Sequence, residues 1–142
     1  MVPVFLEKLL SSLARPAGKN LYAAEEDGLL ISLHYSADRE TLCLYAALGS
    51  VPAPLPSKAA EYLLACALPG KPGRAGLVPD ERIVVYWEEK DAARLTEAAL
   101  RGWMSDFCRR RAEAASGLED ALGEENAATW PQGFMAPNFL MA

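Results

Sequence analysis

The sequence predicts an α+β domain, and three observations carry that expectation. Apolar residues recur at three- and four-residue spacing in three segments, as amphipathic or buried helices require. In other segments apolar and polar residues alternate, the signature of a sheet with one covered face. Clusters of proline, glycine and aspartate separate the two kinds of segment. The implied order is helix, three strands, helix, two strands, helix. It gives an antiparallel twisted sheet with helices packed on it.

The first helix spans Pro3–Arg15, with Phe5, Leu6, Leu9, Leu10 and Leu13 forming a broad apolar stripe. Pro3 suits a first helical turn, and Pro16 with Gly18 ends the helix. Strands follow at Leu21–Glu25, Leu29–Tyr35 and Thr41–Leu48, the first two joined by a tight Asp27-Gly28 turn. Pairing Leu33 with Leu44 and Tyr35 with Leu42 sets His34 opposite Cys43 on the other face.

Gly49–Pro56 holds three prolines and stops regular structure. Ser57 is a candidate N-cap for a second helix, Lys58–Leu68, which Pro69, Gly70, Pro72 and Gly73 terminate. A hairpin follows: Ala75–Val78, a turn at Pro79-Asp80-Glu81, then Arg82–Glu88, rich in strand formers. Asp91 is a candidate cap for a last helix running to about Ser116, with Gly117 as its stop. Residues 1–117 are therefore read as one domain, and 118–142 as an acidic spacer and an aromatic, methionine-rich tail outside it.

A chain of 142 residues can bury a sizeable core. Its 14 basic and 19 acidic residues give a net charge of −5, which argues against a nucleic-acid partner. Cys43, Cys66 and Cys108 are widely spaced and His34 is the single histidine, so neither a disulfide framework, a metal site nor a cofactor is expected. The opening MVPVFLEKLLSSLARP carries Glu7 and Lys8 within its apolar stretch and lacks a basic leader, so a cytoplasmic protein without membrane insertion is expected.

Four constellations bear on function. The second helix is apolar on nearly every side, with Glu61 the one charge between Ala59 and Leu68. Such a helix must be covered all round. Either the chain's other helices cover it, or a second copy does across a two-fold interface. The second is preferred, because one sheet with three helices has little material for a third layer. His34 beside Cys43 could generate a thiolate, but no orienting third residue or oxyanion loop accompanies the pair, so no catalytic residue is assigned. Arg109-Arg110-Arg111 fits a solvated helix end, where positive charge complements the dipole. Trp130, Phe134, Met135, Phe139 and Leu140 fit either a greasy terminus or a docking segment.

The element order, the acidic composition, the segment KAAEYLLACALPG, the strand RIVVYWEE and the closing helix LTEAALRGWMSDFCRR together resemble the CesT/Tir-like class I type III secretion chaperones. The resemblance covers about Val4 to Ser116 and departs at Ala67, where such chaperones often carry asparagine. It implies an ATP-independent homodimer, not an enzyme, that holds the N-terminal segment of a secreted effector extended before export. The family's dimer contacts correspond here to Tyr62, Leu63, Cys66 and Leu77. Phe5 and Leu9 on the first helix, with Leu30, Cys43 and Tyr45 on the outward sheet face, are the candidates for pockets that take the effector's side chains. The alternatives are a generic α+β adaptor or regulatory module with a folded partner, and a small thiol enzyme built on Cys43 and His34.

Overall fold

The structure is a computed structural model and describes residues 1–129; Trp130–Ala142, on which the aromatic part of the tail falls, lie outside the described residues. The elements run α1 (Val4–Leu13), β1 (Arg15–Gly18), β2 (Leu21–Glu26), β3 (Leu29–Ser36), β4 (Thr41–Ser50), α2 (Ser57–Cys66), β5 (Gly73–Val78), β6 (Ile83–Asp91) and α3 (Glu97–Thr129). The strands form an open antiparallel sheet in the order β1-β2-β3-β4-β6-β5. The α+β class and the alternation of elements are as expected, with one strand more.

That strand is β1. Pro16 and Gly18 do end the first helix, but the chain then pairs with β2, Arg15 opposite Ala23 and Pro16 opposite Tyr22, before the register shifts. Its four residues are all exposed. Local sequence reads only as a breaker there; pairing with β2 makes it a strand. The Asp27-Gly28 turn is as expected, with φ of 50° and 78°, the left-handed pair that a two-residue hairpin needs. The β3–β4 register also follows the alternation, Leu33 with Leu44, Tyr35 with Leu42 and His34 with Cys43.

The described residues divide into two compact units, 1–46 with 87–110, and 47–86 with 111–129. In the first, Leu6 and Leu10 of α1, Ile31, Leu33, Leu42 and Leu44 of the sheet, and Leu100, Trp103 and Phe107 of α3 are buried. Glu88, only 2% exposed, is the buried charge of this core. Its carboxylate accepts from Arg110 twice, at 2.7 Å from Nε and 2.8 Å from Nη2, and from Trp103 Nε1 at 2.9 Å. The two-point guanidinium contact and the indole bond together satisfy a charge that burial alone would make very costly. Lys90 Nζ sits 5.3 Å from the centre of the Trp103 ring.

The arginine triplet is therefore not a solvated helix end. Arg110 serves the buried carboxylate, and in the second unit Arg111 Nη1 donates to the Ala47 carbonyl at 2.8 Å. Nor does α3 stop at Gly117: it continues to Thr129, with Leu118 and Leu122 buried. Its start differs as well. Asp91 ends β6, its Oδ1 accepting from Ala93 N, while the Thr96 hydroxyl accepts from Ala99 N at 3.1 Å and so caps the helix. Ser57 is the first residue of α2; Pro56 holds the cap position, without a side-chain bond.

Removing one partner of a buried ion pair strands the other. Glu88→Leu or Arg110→Met alone is expected to lower unfolding free energy by about 3–5 kcal/mol. The double substitution is expected to cost clearly less than the sum, which urea unfolding of the three variants measures.

Candidate protein-binding surfaces

Each unit leaves large apolar side chains uncovered. In the second unit α2 packs on β5. One side of the helix, Ala59 with Tyr62, Leu63 and Cys66, turns inward at spacings of three and four; Ala59 is fully buried and the other three are half-buried. The Tyr62 hydroxyl donates to the Ala114 carbonyl of α3 at 2.9 Å. Its ring lies where a Cβ on Gly117 would have to go. That glycine is a seat for the phenol rather than a helix stop. The opposite side of α2 carries Leu64, 71% exposed, with Leu68 beyond the helix end at 58%. Leu77 of β5 is half-buried and Val78 exposed.

The four expected dimer residues thus occupy the inner, half-buried side of α2 and the neighbouring strand. Reasoning from sequence missed Leu64 and Leu68. Both were visible as leucines; what could not be read was the rotation of the helix about its axis, which the Tyr62–Gly117 fit sets.

In the first unit the register places Ser32 opposite Tyr45 and His34 opposite Cys43, so Leu30, Cys43 and Tyr45 share the outward sheet face as expected. They differ in access. Leu30 is 55% exposed, Tyr45 half-buried and Cys43 buried. Thr41 and Arg39 both reach Glu89 there, at 2.7 and 2.8 Å. On α1, Leu6 and Leu10 turn inward, while Val4 and Phe5 are exposed and Leu9 is half-buried. The structure therefore brings the five expected pocket residues together as two groups, one on the sheet face and one on the outer side of α1.

The electrostatics of Cys43 disfavour a nucleophile. Burial pushes its thiol pKa up, outweighing the Tyr45 hydroxyl that donates to the sulfur and favours the thiolate. The Tyr45 phenol is pushed up to about 12, by burial first and then by that hydrogen bond. Tyr62 is likewise pushed up to about 12, by burial first and then by Cys66 and Asp120. Among the described residues no helix is long and apolar enough to cross a membrane, and no group of three or more histidine, cysteine or carboxylate side chains is placed to hold a metal ion.

No family model matches this chain, and no curated protein does. Solved structures do. The Yersinia pestis type III secretion chaperone SycH, in complex with a stable fragment of YscM2, aligns with a TM-score of 0.56 at 13% identity, covering 77% of this chain and 95% of that one. A chain of the ExsC–ExsE complex aligns at 0.54 and 12% identity, covering 79% and 92%. YbjN from E. coli aligns at 0.49 and 13% identity, covering 84% and 90%. The chain has the fold of a type III secretion chaperone.

Two expectations follow from the tyrosine seats. In an exposed helix, glycine to alanine gains up to about 1 kcal/mol. Gly102 has open space around its Cβ position, so Gly102→Ala should stabilise, whereas Gly117→Ala should destabilise by about 1–3 kcal/mol through overpacking on Tyr62. Thermal and urea unfolding of both variants gives the two signs. Second, Tyr45 and Tyr62 hold their protons above the ordinary phenol value of about 10, so between pH about 10 and 12 the folded chain binds more protons than the unfolded one. Stability should fall across that window, and less steeply in Tyr62→Phe, which urea midpoints against pH would record.

Proposed function

We propose that this protein is a type III secretion chaperone that acts in the cytoplasm as a homodimer, holding the N-terminal segment of an effector extended until export. The observation that carries this reading is the fold combined with its uncovered apolar side chains: Phe5 and Leu30 in one unit, Leu64 and Leu68 in the other, 48 to 71% exposed. SycH, which shares the fold, is a secretion chaperone seen with a protein fragment bound.

The physical case has two parts. A helix that buries only Ala59 and leaves two leucines in water gains from meeting a second copy. Each leucine fully buried there contributes about 1.5–3 kcal/mol. Tyr62, Leu63, Cys66 and Leu77 border that contact in this reading, with Leu64 and Leu68 at its centre. The guest's surface is separate: Phe5 and Leu9 on α1, and Leu30 and Tyr45 on the sheet face with Cys43 beneath them. Alternate side chains of an extended segment fill such apolar sites while its main chain seeks a strand edge. Ordering the guest costs several kcal/mol, so two copies of the surface are better than one. Binding energy alone drives capture, with neither ATP nor covalent chemistry.

Light scattering after gel filtration should give twice the 15.4 kDa chain mass at micromolar concentration. Leu64→Asp with Leu68→Asp should give the monomer. Phe5→Asp with Leu30→Asp should leave the dimer intact and weaken binding of the effector segment that co-purifies with the chain at least tenfold, a loss of about 1.4 kcal/mol or more. A monomeric parent chain, or hydrogen exchange showing the captured segment to be independently folded, would overturn the reading.

A further inference from the structure

His34 is the single histidine of the chain, and the sheet register places it in the middle of the sheet face assigned above to the guest. Ile31, Leu33 and Tyr35 of β3 are buried, so Leu30, Ser32, His34 and Ser36 project the other way. On that side His34 stands between Leu21 of β2 and Cys43 of β4. Ser32, next along the same row, stands between Ala23 and Tyr45. On β6, Glu88 is buried and Glu89 faces outward, where the Thr41 hydroxyl meets it at 2.7 Å. The imidazole is thus half-buried in a floor whose adjoining strand partners are a leucine and a thiol.

The charges on this face are paired or stand at its margins. Arg39 and Glu89 hold each other at 2.8 Å. Arg15 of β1 lies opposite Ala23, two strands from His34. Lys19, Asp38 and Glu40 sit in exposed turns beyond the strand ends. The titratable neighbours on β4 keep their protons: burial pushes the Cys43 thiol up, and the Tyr45 phenol is pushed up to about 12. Histidine, by contrast, is the side chain that changes charge between about pH 5 and 8. An apolar guest laid across the face takes water from the imidazole, which penalises the charged ring. The cross-strand partners offer no carboxylate in exchange, so the covered site favours the neutral form. Linkage makes the effect mutual: a guest that disfavours the proton is itself disfavoured by it.

We propose that His34 makes guest capture depend on pH, the neutral imidazole admitting an apolar extended segment across the sheet face and the imidazolium rejecting it. The proposal rests on the effector surface assigned above and adds to it a condition for release. The guest-bound chain takes up the proton less readily than the free chain. Affinity is therefore full above the histidine range and is lost as pH falls through it. The same segment is held at neutral pH and loosened by mild acid, with no change in the chain's own fold.

The test uses the whole chain and the effector segment that co-purifies with it. With one histidine in the sequence, the imidazole gives one set of proton resonances, which can be titrated in the free chain and in the chain saturated with the segment. The expected result is a titration midpoint lower by about one pH unit in the complex, and binding about fivefold weaker at about pH 5.5 than at about pH 7.5 by calorimetry. His34→Gln should bind with an affinity that no longer differs between the two conditions, and His34→Lys should bind weakly in both. A midpoint that stays or rises on binding, or a His34→Gln chain with the parent's pH dependence, would overturn the proposal and leave the chaperone reading standing. A parent chain that binds no segment even at about pH 7.5 would overturn the chaperone reading first, and this proposal with it.

Discussion

The carboxylate of Glu88 is the constraint from which much of the first unit follows. A charge that is 2% exposed must be fully partnered, and the partners it requires are at fixed positions on one helix. Trp103 and Arg110 are seven residues apart, two turns of α3, so their side chains project from the same side and close on the carboxylate together. The bond set fixes both the rotation of α3 and its position along β6. Leu100, Met104 and Phe107, on the same helix, are buried with it. A purely apolar helix face could slide or roll by a few degrees at small cost; a two-pronged guanidinium bond cannot.

A comparable device organises the second unit at smaller energetic stake. Tyr62 lies over Gly117, where only a glycine leaves room, and its hydroxyl ends on a carbonyl of the same helix. That lock-in turns Ala59, Leu63 and Cys66 inward and leaves Leu64 and Leu68 on the outside. The side of α2 left in water is thus a by-product of how one aromatic ring is seated.

Much of the sheet was legible because alternation is a local property. The Asp27-Gly28 turn, the pairing of Leu33 with Leu44 and the opposition of His34 and Cys43 all follow from residues close in sequence. What was not legible depends on contacts across many residues. β1 is a strand only because β2 is there to pair with it. Gly117 looks like a helix stop until Tyr62, far earlier in the chain, is placed over it. Arg110 looks like a surface charge until Glu88 is found buried beneath it, 22 residues away. For the candidate surfaces the same division holds: which residues share the sheet face could be read, whereas which side of α2 meets water could not.

The two margins of the sheet are unequal, and this has a consequence for growth. β1 is four residues long, its register breaks between Pro16 and Gly18, and Pro16 has no N–H to offer. β5, at the other margin, runs six residues without a proline. A foreign strand therefore finds a poor template at one border and a serviceable one at the other. Lateral extension of this sheet has a built-in polarity, and the blunted border guards against open-ended stacking of chains into fibres.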